Sequence, residues 1–210
     1  MNNVKYEGIN FQPTKIVCIG RNYVEHIEEL NNETPSEPVI FIKPNSAISD
    51  HIESNQDEEI HYEGEISFII ENNKISGIGF GLDLTKRAVQ KVLKSKGLPW
   101  ERAKAFNKSA VFSDFVRCSD DYKSYKMELF IDNHLKQLAN YELMINKPEI
   151  LVAEIQTFLT LEDGDIIMTG TPKGVGVINS GELFTAKIYK NEQVIIEKSW
   201  CVDSLYREEQ

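Results

Sequence analysis

The grouping of apolar residues limits the fold open to this chain more than any other feature. They fall in short, often alternating stretches closed by turn residues, with little helix between them. Residues 15–19, 39–43, 60–71, 78–83, 126–132, 165–169, 183–190 and 194–200 read as strands. Asp132-Asn133 and Asn191-Glu192 suit hairpin turns. Helical spacing is confined to a few places. Residues 85–96 set Ala88, Val89, Val92 and Leu93 on one face and stop at Gly97. Residues 148–160 carry Ile150, Leu151, Ile155, Phe158 and Leu159 behind Pro148, which suits a first helical turn. A shorter helix is expected over 23–30. Strands and helices do not alternate as a doubly wound sheet requires. The expected class is therefore mixed α/β, predominantly β: a largely antiparallel sandwich or roll with a few short helices.

At 210 residues the chain fits one domain, 1–210, with residues 1–14 an N-terminal arm or an extra strand. No apolar run approaches the ~20 residues of a membrane helix, and no basic flank with an apolar core marks a leader. A cytoplasmic protein is expected. Cys18, Cys118 and Cys201 form no paired motif and read as small buried residues. The net charge of −10 argues against nucleic acid or an anionic membrane as partner. That charge is uneven. Residues 25–65 hold twelve acidic residues against Lys43 alone, and 86–108 hold eight basic residues against Glu101. Two solvated faces would explain this, as would a site where a cation and an anionic substrate meet.

Chemistry concentrates in His61-Tyr62-Glu63-Gly64-Glu65-Ile66-Ser67-Phe68-Ile69-Ile70. Alternation places Tyr62, Ile66, Phe68 and Ile70 on one face and Glu63 and Glu65 on the other. A rise of about 3.3 Å per residue sets the two acidic Cα atoms roughly 6–7 Å apart, so their carboxylates can converge. Gly64 leaves room for close approach. An ordinary strand with an acidic solvent face has the same pattern. Asp83 ends a second apolar strand just before a helix, where it serves either as a third oxygen ligand or as a carboxylate favoured by the helix dipole. The three together suit Mg²⁺ or Mn²⁺, whereas zinc calls for His or Cys. His26 and Glu29, three apart, form either a base with its orienting carboxylate or a surface pair. Arg87 and Gln90, with Lys104 following, grip an anion or form a solvated basic face. The Gly-rich stretch 169–176 has neither a Gly-Lys-Ser/Thr ending nor a GxGxxG pattern, so it points away from nucleotides. It reads as a turn, or as backbone N–H groups brought to a ligand.

In order along the chain come Gly20-Arg21-Asn22-Tyr23, His26 with Glu29, and Phe41-Ile42-Lys43-Pro44. Glu63-Gly64-Glu65 and Leu82-Asp83-Leu84-Thr85 with Arg87 and Gln90 follow. Gly97-Leu98-Pro99-Trp100 with Lys104 and Phe106, then the 169–176 loop, complete the series. This series resembles the fumarylacetoacetate hydrolase family, in its small single-domain acylpyruvate hydrolase-like members, from about Lys15 to Val202. The resemblance implies the family's C-terminal-domain β-sandwich roll and a homodimer. It implies Glu63, Glu65 and Asp83 as ligands of Mg²⁺ or Mn²⁺. It also implies His26 and Glu29 as a dyad on a mobile lid helix with Lys104 in catalysis, and Arg21, Lys43, Arg87, Gln90 and Thr171 near the substrate. The chain departs from the family at Ala88, where members often carry Asp, and at Ser109-Ala110-Val111-Phe112-Ser113, where many carry Ser-x-Pro-x-Gly.

The activity so implied is metal-dependent hydrolysis of a C–C bond in acylpyruvate-type 2,4-diketo acids, small anionic keto acids. A water activated by the dyad attacks, an enolate leaves, and Val111 and Phe112 help to select the acyl group. Oxaloacetate decarboxylation or tautomerisation, or 2-hydroxyhepta-2,4-diene-1,7-dioate isomerisation, would use the same site. A non-catalytic metal-bearing dimeric module is the remaining reading.

Overall fold

The computed structural model describes residues 1–29, 33, 35–54 and 58–204. Its helices are α1 (Val24–Glu29), α2 (Arg87–Ser95), α3 (Glu101–Lys104) and α4 (Pro148–Gln156). The central sheet is eight-stranded, ordered Val39–Pro44, Lys15–Gly20, Ile166–Met168, Gly64–Glu71, Lys74–Asp83, Ala110–Phe112 and Ile48–Ser49, with Val116–Arg117 paired beside Lys74–Asp83. Ile166–Met168 runs parallel to Lys15–Gly20, and Ala110–Phe112 parallel to Ile48–Ser49; the other pairings are antiparallel. A five-stranded sheet follows the order His134–Asn140, Tyr125–Ile131, Leu183–Lys190, Gln193–Ser204, Ile52–Ser54. The sheets curl as half-barrels in a mostly β, mixed fold.

Alternation along Gly64–Glu71 explains how the layers stack. Ile66 and Phe68 point into the main core, where Met127, Leu129, Phe184 and Ile188 of the second sheet meet them. Ile167, the register partner of Phe68, joins Val17, Ile19 and Ile70 on the same face under Leu151 and Ile155 of α4. The opposite face carries Ile16, Cys18, Ile69, Ile166 and Met168, together with Val4 and Tyr6 of a hairpin pairing Val4–Tyr6 with Ile9–Phe11. Glu65 lies on this second face, between the apolar layers and the end of the sheet.

The hairpin dipeptides behave as their composition demands. Asp132 and Asn133 have φ of 49° and 63°, and Asn191 and Glu192 have 47° and 65°, the left-handed pair that matches strand twist. Asn72 and Asn73 (53° and 60°) do the same, joining Gly64–Glu71 to a strand that starts at Lys74 rather than at Ile78. The expected strand 60–71 is interrupted at Glu63, and Ile60–Tyr62 pairs instead with Thr85–Lys86 and Gly176–Val177.

Helix α2 accordingly begins at Arg87 rather than Thr85, and it buries Gln90 and Leu93 instead of an apolar stripe; Ala88 and Val92 are exposed. Its inward face therefore carries polar chemistry. Helix α4 ends at Gln156, leaving Ile150 and Phe158 exposed while Leu151 and Ile155 hold it to the sheet. Position 30, expected to end α1, lies outside the described residues. Only Cys18 is buried. Cys118 is half-buried, and Cys201 is exposed because Trp200 and Val202 take the inward positions of its strand. No helix among the described residues is long and apolar enough to cross a membrane.

Candidate active site

The interruption at Glu63 creates the site. Where the ladder breaks, the Asp83 N–H donates to the Glu63 carbonyl at 2.8 Å, which brings the ends of two strands together. One carboxylate oxygen from each of Glu63, Glu65 and Asp83 then lies within 4.8 Å of the others, and all three residues are buried. Lys104, the last residue of α3, inserts its ammonium among them. It donates to Glu63 Oε2 at 2.8 Å, Asp83 Oδ2 at 2.6 Å and Thr85 Oγ1 at 2.6 Å. Arg87 closes the far side, with Nη2 on Glu63 Oε1 and Nη1 on Gln90 Oε1 at 2.8 Å.

The charges settle unequally. Burial works against an ionised Glu63, yet Lys104 and Arg87 hold its carboxyl well below the usual range. Glu65 goes the other way. Burial and the facing charges of Asp83 and Glu63 push its carboxyl well up, against the Gly170 N–H that donates to its Oε2 at 2.7 Å. Lys104 stays protonated above its ordinary value despite burial, because Asp83 and Glu63 surround it. Asp83 Oδ1 is paired with the buried Lys43 ammonium at 2.8 Å. Three buried carboxylate oxygens this close together, with Glu65 pushed up by burial and the charge of its neighbours, form an all-oxygen donor set that fits a hard divalent cation.

Above this floor opens a narrow cleft walled mostly by polar side chains. Arg21, His26, Glu63, Arg87, Gln90, Lys104 and Thr171 all line it. Arg21 has φ of 56°, in the left-handed region that a non-glycine residue adopts at some cost. On α1, His26 is buried and its Nδ1 lies 3.3 Å from Glu29 Oε2. Burial pushes the imidazole pKa below its ordinary value, with Glu63 and Glu29 opposing. Glu29 in turn accepts from the Gly174 N–H at 3.0 Å, at the end of the Gly-rich loop. That loop runs against the chain at Gly170, where a Cβ would stand 2.8 Å from Asn22 Cβ, so only glycine passes.

The acidic and basic halves of the sequence do meet here, and most of the expected site residues converge. Lys43 does not reach the pocket. It is fully buried beneath the floor, its ammonium committed to the carbonyls of Leu84 (3.2 Å), Ser109 (2.8 Å) and Lys104 and to the Asp83 carboxylate (2.8 Å). Val111 and Phe112, expected to shape an acyl pocket, pack in the core instead. Five wall residues were not singled out from sequence: Ile19, Gly20, Phe41, Lys94 and Trp100. Gly20, Phe41 and Trp100 were visible only as parts of family motifs. Gln137 was missed altogether, a buried amide in a strand whose sequence His134–Asn140 has no clear alternation.

Comparison with known proteins identifies the family and the fold. The family profile for the fumarylacetoacetate (FAA) hydrolase C-terminal region matches residues 15–198. Among curated proteins, the oxaloacetate tautomerase YcgM of Escherichia coli is 35% identical over 195 residues, 84% of this chain and 89% of that protein. A crystal structure from Oleispira antarctica superposes with a TM-score of 0.91 at 34% identity, covering 96% of this chain and 100% of the other. The fumarylpyruvate hydrolase of Pseudomonas aeruginosa, solved with Mn²⁺ and pyruvate, has a TM-score of 0.85 at 26% identity over 97% of this chain and 96% of its own. The chain belongs to the fumarylacetoacetate hydrolase family and has its C-terminal-domain fold.

Proposed function

We propose that this enzyme is an oxaloacetate tautomerase, moving a proton between C3 and the 2-keto oxygen with Mg²⁺ or Mn²⁺ held by Glu63, Glu65 and Asp83. The observation that carries the reading is the buried carboxylate triad beneath a pocket walled by Arg21, Arg87, Lys94 and Lys104 and by a neutral His26. The named activity of the E. coli relative supports it over acylpyruvate cleavage. The cation, when bound, would supply Lewis-acid polarisation of the keto oxygen. His26, kept neutral by burial and steadied by Glu29, takes a proton from C3. Lys104 and Arg87 stand beside the oxygen that gains charge as C2–C3 becomes a double bond. Protonation of that oxygen completes the enol, and His26 gives up its proton. Arg21 and Lys94 suit the distal carboxylate, and the homodimer implied by the family belongs to the same proposal.

Acylpyruvate hydrolysis is the second reading. The His26–Glu29 pair favours it, since a base with an orienting carboxylate is what water activation needs. Decay of the enol absorbance of freshly dissolved oxaloacetate separates the two. Acceleration with Mn²⁺, lost in EDTA and in His26→Ala, is the expected result. Pyruvate appearing from oxaloacetate would instead identify a decarboxylase. Loss of acetylpyruvate with enol decay at the background rate would identify a hydrolase.

A further inference from the structure

Gln137 reaches from the five-stranded sheet into the back of the site and touches neither pocket nor carboxylate. Its Oε1 accepts the Gly64 N–H at 2.8 Å, between the two glutamates. Its Nε2 donates to Thr171 Oγ1 at 2.8 Å and to the Pro172 carbonyl at 2.9 Å. Thr171 completes a ring by donating to the Gly64 carbonyl at 3.0 Å. The same loop gives its Gly170 N–H to Glu65 and its Gly174 N–H to Glu29. It is seated against Gln137's own strand, because a Cβ on Gly174 (φ +98°) would come 2.1 Å from the Lys136 carbonyl.

We infer that Gln137 is a positioning residue that locks the Glu63-Gly64-Glu65 turn to the 170–174 loop, setting the spacing of the metal ligands and the seat of the His26–Glu29 dyad with one amide. The physical case is satisfaction in a dry interior. Gln137 is 1% exposed, and removing its amide orphans the Gly64 N–H and takes the Thr171 hydroxyl's donor. The freed turn and loop then relax, and the carboxylates they carry lose their common focus. Outer-shell partners of this kind typically change metal affinity or activity by about 10–100-fold.

The inference depends on the proposed cation site, so its test measures Mn²⁺ binding by calorimetry on the intact chain, without substrate. Gln137→Met, which keeps length but not polarity, is expected to weaken Mn²⁺ binding by about 10-fold or more with an unchanged far-ultraviolet spectrum. Thr171→Val breaks the same ring from the loop side and should shift affinity in the same direction, while Thr171→Ser should restore it. That pair decides the matter if Gln137→Met does not fold. Wild-type affinity in Gln137→Met, or in Thr171→Val, would overturn the inference alone. A wild-type chain that binds no Mn²⁺ would overturn the cation site and this inference with it.

Discussion

The floor and the lid of the site are built on opposite principles. Glu63, Glu65, Asp83 and Lys104 are each at most 6% exposed and share a dense set of charge-assisted contacts anchored on strand ends. The lid helix α1 has six residues, and its Glu29 side chain is 33% exposed. Beyond the buried side chains of His26 and Ile27, it is tied to the Gly-rich loop by one N–H, from Gly174 to Glu29 at 3.0 Å, and by a surface pair between Lys173 and Glu25 at 3.1 Å. A buried ionic floor keeps its geometry because breaking any pair strands a charge. Helix α1 is short and buries only His26 and Ile27. We propose that the floor is preorganised and that α1 adjusts around substrate.

The largest effect should come from the floor. Glu65→Gln is expected to abolish turnover and to weaken Mn²⁺ binding by more than the ~100-fold reached by outer-shell losses. Calorimetry and the enol assay together read this. Retained Mn²⁺ affinity would remove Glu65 from the ligand set. His26→Ala should lower the rate by about 10²–10⁴-fold, the usual yield of base catalysis, and leave Mn²⁺ affinity unchanged. A parallel fall in affinity would join lid and floor into one unit and break the contrast. Because burial lowers the His26 pKa below 6.5, the base is lost only as pH falls through that lower value. The acid limb of the rate profile should therefore lie below pH 6.5 and vanish in His26→Ala.

Lys104→Met removes the ammonium shared by Glu63 and Asp83, leaving Arg87 on the first and Lys43 on the second. It should destabilise the metal-free protein by at most about 3–5 kcal/mol, read by chemical denaturation. Mn²⁺ at ~100 times its Kd would return about 2.7 kcal/mol. Without that recovery, the carboxylates would not be a cation site. Glu65 gives a milder, pH-graded effect. Its carboxyl keeps a proton above the usual carboxylate range, and a ligand must shed it. Mn²⁺ affinity should thus rise with pH through that raised value, by at most about tenfold per unit for one proton, with proton release seen as a buffer-dependent heat.

The floor was also the more legible region. Glu63 and Glu65 flank a glycine in an alternating stretch, and Asp83 ends a strand, so spacing allowed convergence, and the family resemblance selected it over a solvated acidic face. Strand ends and hairpins were readable because Asp-Asn and Asn-Glu dipeptides advertise positive φ. What sequence hid has physical reasons. Helix α3 has four residues, too few to show a period. Helix α2 turns Gln90 inward with Leu93, so its apolar residues misreport its buried face. Lys43 looked like a substrate cation because burial of an ammonium against three carbonyls and the Asp83 carboxylate leaves no mark in composition. Gln137 acts across more than seventy residues, from a strand that faces solvent at most of its positions.

The smallest effect tests the lid where it is weakest. Lys173→Ala removes the surface pair with Glu25, whose side chains are 63% and 58% exposed. Such pairs contribute about 0–1 kcal/mol and are screened by salt. Thermal stability and Mn²⁺ affinity should hardly move. If that pair helps close α1 over substrate, KM should rise by no more than about fivefold at low ionic strength, since 1 kcal/mol is the ceiling, and the difference from wild type should fade as salt is added. A shift in kcat that persists at high salt would mean that Lys173 acts on the chemistry through the Gly174–Glu29 contact beside it. The lid would then be part of the preorganised site.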